Sequence, residues 1–362
     1  MKLTKFFTFL AIAATTMVGC GPINGPQGGG ETGGVKLKAD KNTVEVGSTI
    51  NFTVTNDAGE DVTSSAVIYN KTLDFTEVEN PYVTTIDGTF EFYAVAGSAI
   101  SESIKITVVP TIPALPEDSD PSSTSFNHRI LLVDHTGNTC GYCPQMMKAL
   151  KEVAETGNYH SKYYEAMAHS YAATDPAYSP AASAVSGYYG VNSYPTLTYN
   201  LQYSVTSSFN AEHIKAQIDA QWKESAEAGI AASASISPAG TIAVVNAEVK
   251  AAVANDYRIN AWLLEDGVYA KQINATEEWM NTHNNCIRQL ALNEPLSGID
   301  LGRIEAGKSA STTMTLGISN KAWNTANLKV MLIATSKNSA GKYEVANVTI
   351  CPMNESVNYD YK

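Results

Sequence analysis

The sequence of 362 residues is long enough for two or three domains, and its 44% hydrophobic and 17% charged residues are typical of a folded protein. With 24 basic against 36 acidic residues, the formal net charge is −12 at pH 7, which argues against a nucleic-acid partner because phosphate binding needs clustered positive charge. Beyond the N-terminal segment, no stretch is long and apolar enough to span a bilayer as a helix.

The N-terminal segment is first basic and then apolar. Lys2 and Lys5 precede an apolar run over residues 6–18, and Met17-Val18-Gly19-Cys20 ends this run with a lipobox-like pattern. This order predicts a bacterial lipoprotein signal peptide, residues 1–19, that is cleaved before Cys20. Acylation of Cys20 would anchor the protein to a membrane through more than one lipid chain. The alternative is an ordinary signal peptide with a chance cysteine.

Residues 20–125 indicate a tether, a β-rich domain and a linker. Residues 20–34 are rich in glycine and poor in apolar side chains, which favours a flexible tether. Residues 35–109 contain about seven short stretches of alternating polar and apolar residues, a pattern that predicts an immunoglobulin-like β-sandwich. Such a domain is more often a spacer than a ligand-binding module. Four prolines and three acidic residues within 110–125 predict a stiff linker.

A Cys-x-x-Cys pair lies between a predicted strand and a predicted helix. The apolar run 130–133 predicts a buried strand, and apolar residues at helical spacing after Pro144 predict a helix. Cys140 would lie just before this helix, where unpaired N–H groups and the helix dipole stabilise a thiolate. Cys143 is close enough to resolve a mixed disulfide formed at Cys140, and Asp134 can take the proton of the resolving thiol. We therefore expect Cys140 to be exposed and Cys143 to be buried.

Two motifs in this region resemble thioredoxin. Leu132-Val133-Asp134 followed by Cys140-Gly141-Tyr142-Cys143 places the acid and both cysteines in register with that family. Tyr194-Pro195-Thr196-Leu197 resembles its cis-proline loop, which faces the CxxC. Thr139 stands where thioredoxins usually carry Trp, and Tyr142 replaces the intervening Pro.

The resemblance implies a thioredoxin-like α/β domain over residues 126–226. It implies a cis bond between Tyr194 and Pro195, with Pro195 near the CxxC, where it would shape a peptide-binding edge and keep metals off the thiols. Ten of the nineteen tyrosines lie between Tyr159 and Tyr203, around the predicted redox face. Tyrosine suits adaptable contacts with peptides, although most of these side chains can equally belong to the core or to ordinary surface.

Strand patterns return after residue 226 and predict a second β-sandwich over residues 227–362. Trp262-Leu263-Leu264-Glu265-Asp266-Gly267, then Gln272, then His283-Asn284-Asn285-Cys286-Ile287-Arg288 is similar to the C-terminal region of the Omp28-related outer-membrane lipoproteins of Bacteroidetes. The segment from Asp134 to Cys143 resembles that family too, so the resemblance covers roughly residues 126–352. It departs at Asn285-Cys286, where the family usually has an aliphatic residue or His. The resemblance implies an outer-membrane location and carries no established activity.

Two further cysteines, Cys286 and Cys351, remain after Cys20 and the CxxC are assigned. An even remainder in an exported protein favours a disulfide between them, and the alternative is two separate buried thiols. No cofactor and no metal site is predicted. A zinc site using Cys140, Cys143 and His135 would need a fourth ligand, and no second CxxC exists.

The sequence thus predicts a multidomain α+β protein, with a thioredoxin-like α/β domain flanked by an N-terminal immunoglobulin-like β-sandwich and a C-terminal β-sandwich. The first functional hypothesis is a thiol–disulfide oxidoreductase, lipid-anchored in the outer membrane and facing the periplasm or the cell surface. Its catalytic residues would be Cys140, Cys143, Asp134 and Pro195, and its partners would be disulfide-containing exported proteins or peptides and an unknown redox partner. The competing hypothesis is a non-enzymatic surface lipoprotein for binding or adhesion, in which the CxxC forms a structural disulfide.

Overall fold

The computed structural model describes residues 34–200, 202–206, 209–238, 240–292, 298–318 and 322–362. The predicted signal peptide, Cys20 and nearly all of the tether lie outside the described residues. The described chain forms two compact units. One takes in residues 34–40, 51–80 and 91–104, and the other takes in residues 41–50, 81–90 and 105–362. Within the described ranges, no helix has the length and apolarity needed to cross a membrane.

The strands of the first 109 residues are short. They are β1 (Val35–Ala39), β2 (Thr43–Glu45), β3 (Thr49–Ile50), β4 (Phe52–Asn56), β5 (Val67–Asn70), β6 (Thr76–Val78), β7 (Tyr82–Val83), β8 (Gly88–Ala96), β9 (Ala99–Ile100) and β10 (Ile104–Val109). A 3-10 helix covers Thr63–Ser65. In the first unit, β1 pairs antiparallel with β4, and β5 lies between β6 and β8. Phe52 and Phe92, with ring centroids 5.1 Å apart, are both buried there.

The second unit begins with two strand pairs and continues with a segment of mixed helices and strands. β2 runs parallel to β10, and β3 runs antiparallel to β7. The following elements are β11 (Ile130–Thr136), α1 (Cys143–Glu155), a 3-10 helix (Tyr159–Ser161), β12 (Tyr163–His169), α2 (Pro180–Tyr188), β13 (Thr196–Tyr199), β14 (Gln202–Thr206) and α3 (Ala211–Gln221). Both later helices have N-caps of the preferred type. The Ser179 hydroxyl accepts from Ala182 N, and the Asn210 side chain accepts from Glu212 N.

The remainder of the second unit consists of strands and short 3-10 helices. The strands are β15 (Ala228–Ile236), β16 (Ile242–Ala251), β17 (Asn255–Glu265), β18 (Val268–Tyr269), β19 (Thr282–His283), β20 (Cys286–Leu290), β21 (Ile299–Ile304), β22 (Ser309–Gly317), β23 (Leu328–Lys337), β24 (Tyr343–Pro352) and β25 (Ser356–Val357). The 3-10 helices are Glu278–Asn281 and Thr325–Asn327.

Two sheets organise the second unit. A nine-stranded sheet has the order β14-β13-β11-β12-β20-β17-β23-β24, with β21 also paired to β17, and a four-stranded sheet has the order β22-β16-β15-β25. Buried side chains of the smaller sheet, such as Val245, pack with Leu263 and Leu332 of the larger one. This apolar core makes the C-terminal part a sheet-on-sheet structure.

The helices cover the other end of the nine-stranded sheet. Alternate residues of β11 point to opposite faces, so that Ile130 and Leu132 pack against α1 and α3, whereas Leu131 and Val133 pack against α2. All seven residues of β11 are buried. The predicted strand before the CxxC is therefore an interior strand with helices on both faces.

The predicted fold class is wrong. Strand residues far outnumber helical residues among those described, and β11–β14 do not form a sheet of their own. β12 pairs with β20 in parallel, with Met167 opposite Cys286, so the sheet continues into the strands that we assigned to a separate C-terminal sandwich. The physical reason is that β12 would otherwise be an edge strand with unpaired N–H and C=O groups, and β20 satisfies them.

The predicted linker lies against the four-stranded sheet. Ser233 Oγ donates to Ala114 O at 2.6 Å, and Asn246 Nδ2 donates to Pro113 O at 3.0 Å. Lys250 Nζ, on a side chain that is 4% exposed, lies 2.9 Å from the Asp118 carboxylate and donates to two carbonyl oxygens of the segment, those of residues 120 and 121. The predicted domain boundaries themselves stay predictions.

We predict that Lys250→Met lowers the free energy of unfolding by about 3 kcal/mol, because Asp118 and two carbonyl oxygens would lose a buried cationic partner. Urea unfolding followed by circular dichroism measures the change. Lys308→Met removes the same charge from an exposed lysine near the end of the same sheet, and it should change the value by less than about 0.5 kcal/mol. Equal effects of the two substitutions would contradict the structural role of Lys250.

Candidate functional site

Cys140 and Cys143 form a disulfide, with Cα atoms 5.4 Å apart. Cys143 is the first residue of α1, and Pro144 follows it in a position where a missing N–H has no cost to the helix. Tyr142, the residue that precedes the helix, makes no side-chain hydrogen bond to the first turn. The bridge therefore lies where the N–H groups of the first turn and the helix dipole favour a negative charge on sulfur.

Both cysteines are buried. Cys140 is 2% exposed and Cys143 is not exposed. The prediction that Cys143 is buried is confirmed, and the prediction that Cys140 is exposed is wrong. Cys140 is buried because a segment from the C-terminal part of the chain covers it. We call residues 270–276, which lie between β18 and β19, the covering segment.

Gln272 makes the central contact of the covering segment. Its side chain is buried, and its Nε2 donates to Cys140 O at 3.0 Å and approaches Gly137 O at 3.4 Å. Its own backbone N–H donates to Asn281 Oδ1 at 2.9 Å, which fixes the residue from the other side. A buried amide with these partners holds the CxxC loop in place, since their loss would leave polar groups unpaired.

Two further contacts, from the two residues that follow Gln272, extend this cover. Ile273 N donates to Asn138 O at 2.7 Å, and Asn274 Nδ2 donates to Gly141 O at 3.2 Å. A side chain at Gly141 would lie 3.2 Å from the Asn274 amide, so the glycine between the two cysteines permits this close approach. The covering segment thus binds the loop on both sides of Cys140.

Asp134 lies on the face of β11 that packs against α1. It is fully buried, and neither carboxyl oxygen has a hydrogen-bond partner among the described residues. Burial and the nearby carboxyl of Glu165 raise the pKa of Asp134 well above its usual range. Burial therefore favours the protonated form of this carboxyl, which can give its proton to a leaving thiolate.

The predicted Tyr194–Pro195 cis bond is confirmed. Pro195 is buried and directly precedes β13, which pairs antiparallel with β11 so that Thr196 lies opposite His135. This register places the proline loop at the end of β11 from which the CxxC loop leaves. Direct contact between Pro195 and the CxxC stays a prediction.

A chain of buried and partly buried hydroxyl groups links the proline loop to β11. Tyr194 OH lies 3.1 Å from Ser170 Oγ, which lies 2.6 Å from Ser186 Oγ. Ser186 Oγ in turn lies 2.8 Å from His135 Nδ1, and burial lowers the pKa of His135 to about 3. His135 is therefore neutral at physiological pH and serves to position the loop, since both of its ring nitrogens have neutral hydroxyl partners.

Aromatic side chains are exposed near the disulfide. Tyr142, between the two cysteines, is 65% exposed and stacks on Phe209 with ring centroids 6.5 Å apart. Tyr171 is also exposed and meets Tyr194 edge to face at 5.3 Å. Part of the tyrosine-rich region therefore does lie around the redox face, whereas Tyr189 and Tyr199 belong to the core.

The buried carboxyl group of Asp175 contacts the start of the CxxC loop. Asp175 Oδ2 accepts from Asn138 N at 2.7 Å and lies 2.8 Å from His169 Nδ1. The ring of His169 meets that of His283 edge to face at 4.6 Å, and His283 Nε2 donates to Ala270 O at 3.1 Å. These contacts connect the start of the CxxC loop to the start of the covering segment.

The predicted bridge between Cys286 and Cys351 is wrong, because both are free, buried thiols. Cys286 begins β20 beside β12, whereas Cys351 lies near the end of β24 and its Sγ approaches the carbonyl oxygen of Glu355 at 3.5 Å. Burial raises the pKa of both thiols, that of Cys351 to about 11. Neither is a thiolate at neutral pH.

Sequence reasoning missed the residues that cover and surround the disulfide. The sequence singles out Gln272 only as part of a family pattern, and it indicates no role for Asn274 or Glu165. Strand alternation could have placed Glu165 on the same face as Tyr163 and Met167, facing α1. No local pattern could have connected Gln272 to Cys140, which is 132 residues away in sequence.

Comparisons with known proteins give a family match over part of the chain and a similar fold. Residues 182–357 match the model of the family described as outer membrane protein Omp28, which confirms the predicted resemblance over these residues. A search of curated proteins finds no relative.

Among solved structures, HBP35 of Porphyromonas gingivalis is similar with a TM-score of 0.52 and 14% identity, over 64% of this chain and 77% of that one. At this identity the likeness concerns the fold alone. A membrane-anchored protein from Corynebacterium diphtheriae matches with a TM-score of 0.22 and 8% identity over 91% of this chain and 59% of that one, which is too weak to support an argument.

We predict that Gln272→Ala accelerates reduction of the Cys140–Cys143 disulfide by dithiothreitol about tenfold or more, because the loop loses its central buried contact. Thiol release measured by a colorimetric reagent in native buffer gives the rate. Thr276→Ala is the matched control within the covering segment, since the Thr276 hydroxyl contacts only Met280 Sδ at 4.0 Å in the described structure. If both variants react at the wild-type rate, Gln272 does not control the access of dithiothreitol to the disulfide.

The free energy of unfolding should depend on pH through His283. Burial and the neighbouring His169 lower the pKa of His283 to about 4, so between pH 4 and 6.5 the unfolded chain binds a proton here that the folded chain does not. The free energy of unfolding therefore falls as the pH is lowered through this window. His283→Gln keeps a donor for Ala270 O without titrating, and it should reduce the slope by about 1.4 kcal/mol per pH unit.

Urea unfolding at half-unit steps from pH 4.5 to 6.5 measures this slope. The control is His160→Gln, the same substitution at an exposed histidine, and its slope should match that of the wild type. If His283→Gln keeps the wild-type slope, His283 does not contribute to the pH dependence of the free energy of unfolding.

Proposed function

We propose that this protein exchanges disulfides with exported proteins through Cys140 and Cys143. The observation that carries the proposal is the bridged pair at the start of α1, together with the unpartnered buried carboxyl of Asp134 on the strand face that packs against this helix. A structural disulfide needs no such carboxyl. An isolated buried acid costs free energy, and such groups are concentrated at sites of proton transfer.

The chemistry follows from these positions. A thiolate of the client attacks Sγ of Cys140, the bond between the two cysteine sulfurs breaks, and Cys143 leaves as a thiolate stabilised at the helix start. Asp134 gives its proton to this thiolate. A second client thiol then displaces Cys140 from the mixed disulfide, which leaves the client oxidised and the CxxC reduced. In the opposite direction Cys143 is the resolving thiol, and Asp134 takes its proton.

Exchange requires the covering segment to move, because a client cannot reach a sulfur whose residue is 2% exposed. The contacts that hold it are few. Gln272 and Asn274 donate side-chain hydrogen bonds to the CxxC loop, and Ile273 donates a backbone one. From the loop, Asn138 Nδ2 donates to Lys271 O at 3.5 Å. Tyr142 and Tyr171 offer exposed rings beside the opening, and such rings suit contacts with varied polypeptides.

The location that we propose is the outer membrane, with an acylated Cys20 as anchor and the redox site facing the periplasm or the cell surface. The Omp28 family match over residues 182–357 and the lipobox-like pattern support this location. Disulfide-containing proteins are found on that side of the inner membrane, which places clients within reach. A separate redox partner would return the CxxC to its starting state.

One observation favours the second candidate function, a surface lipoprotein for binding or adhesion. Both cysteines are buried and the covering segment is hydrogen-bonded across them, as expected for a disulfide that only stabilises a loop. In that case the bridge would resist reduction and would not turn over.

We predict that Cys143→Ala traps mixed disulfides with exported proteins through Cys140, and that Cys140→Ala traps almost none. The difference arises because only the first variant keeps the attacking sulfur and lacks the resolving one. Non-reducing electrophoresis of the membrane fraction followed by mass spectrometry measures the adducts. The variant with both cysteines replaced by alanine is the control for non-specific capture.

The reduction potential of the CxxC decides between the two candidates. A value above about −300 mV, with turnover of a model disulfide, is expected for the exchange function. A value well below this, without turnover and without trapped clients, would leave the surface-binding lipoprotein as the better interpretation.

A further inference from the structure

A cavity of about 210 Å³ lies between α1 and β12. Asp134 lines it from β11 and Glu165 lines it from β12, while Met147 and Leu150 of α1 form an apolar wall. Trp279, which precedes β19, contributes a further wall. A cavity of this volume with two carboxyl groups has room and hydrogen-bond partners for several water molecules.

The residues of α1 that line the cavity lie on the same face of the helix as Cys143. Met147, Leu150 and Ala154 line the cavity and lie four, seven and eleven residues after Cys143, a spacing that places all four on one face of the helix. Asp134 lies on the facing side of β11, at the strand end nearest to the CxxC loop. The cavity therefore connects the face that carries the resolving cysteine with the two carboxyl groups.

Glu165 occupies the intermediate position between Asp134 and solvent. Glu165 and Met167 lie opposite Leu132 and Asp134 in the parallel pairing of β12 with β11, so the two carboxyl groups point to the same side of the sheet. Asp134 is fully buried, whereas Glu165 is partly exposed. A proton on Asp134 cannot exchange directly with bulk water, and Glu165 supplies the other carboxyl group that lines the cavity.

The charged and titratable groups around Glu165 are few. Burial raises the pKa of Glu165 to about 7, and the ammonium of Lys329 opposes this shift. Asp134 faces it from β11 and Tyr163 from the same strand, and burial raises the pKa of Tyr163 above the physiological range. Lys151 of α1 lines the cavity with its ammonium 3.9 Å from Glu155 and 5.0 Å from the Trp279 ring centroid, so it is engaged on the outer side.

We propose that Glu165 is a positioning residue that relays protons between Asp134 and solvent through the water in this cavity. The proposal rests on the disulfide-exchange function and adds a residue to it. When the disulfide is opened, Cys143 leaves as a thiolate and takes the proton of Asp134. In the same step Asp134 takes a proton from Glu165 through water, so that opening of the disulfide depends on a protonated Glu165, and Glu165 then takes a proton from solvent. In the opposite direction each proton moves outward along the same groups, and no electrons are transferred in these steps.

The test is the pH profile of disulfide opening by dithiothreitol, from pH 5.5 to 9, corrected for the thiolate fraction of the reagent. In the wild type the corrected rate should fall as the pH rises through about 7, where Glu165 loses its proton. In Glu165→Gln this inflection should disappear. The rate below pH 7 should be about tenfold lower and the rate at pH 8.5 to 9 unchanged, because the relay is already inactive there. Glu165→Asp should restore the inflection.

Two further variants exclude a purely structural effect. Glu152→Gln removes the same charge from an exposed position on α1, and its profile should match the wild type. In an Asp134→Asn background, Glu165→Gln should cause no further loss, since the relay acts only through Asp134. A slowing of equal size at every pH, a wild-type profile in Glu165→Gln, or losses that multiply in the double variant would each overturn the relay.

The dithiothreitol reaction involves no client. Failure of client trapping with the expected pH profile intact would therefore count against the exchange function and leave the relay standing. A normal trapping result with an unchanged profile in Glu165→Gln would remove the relay alone.

Discussion

Parallel pairing of β12 with β20 is the constraint on which the site depends. It joins strands from residues 130–206 and strands from residues 255–352 in one sheet, with Met167 opposite Cys286. Cys286 begins β20, and Met167 is near the end of β12. The chain therefore enters β20 at the same end of the strands from which the CxxC loop leaves β11. The connection from β17 to β20 must pass over this end of the sheet, and the covering segment is part of that connection.

This arrangement explains why the CxxC is enclosed. A CxxC loop at the edge of an isolated small domain would meet solvent, but here Gln272 and Asn274 meet the carbonyl oxygens of Cys140 and Gly141. The same connection contributes Trp279 to the wall of the cavity that holds Asp134. One sheet pairing thus accounts for the low exposure of Cys140 and also for the closed surroundings that raise the pKa of Asp134.

The electrostatics of the site follow from the burial of Asp134 beside a second acid. Its carboxyl has no hydrogen-bond partner in the described structure, and the charged group that raises its pKa is another acid, Glu165. Burial raises the pKa of both carboxyl groups, that of Glu165 to about 7, and Glu165 adds to the shift of Asp134. A carboxyl whose protonated form is favoured is suited to supply a proton when a thiolate leaves.

The sequence by itself determined the local features of the site. The apolar run before Asp134, the two cysteines at a helix start, the Tyr194–Pro195 bond and the caps of the later helices are all set by neighbouring residues, and each is present. The fold class, the exposure of Cys140 and the state of Cys286 and Cys351 were decided by the tertiary structure. Each depends on which strands pair across more than a hundred residues of chain, and alternating patterns specify a strand without specifying its partner. Gln272 illustrates the limit, because a single polar residue in a loop acquires its role only when β20 lies beside β12 and brings it to the disulfide.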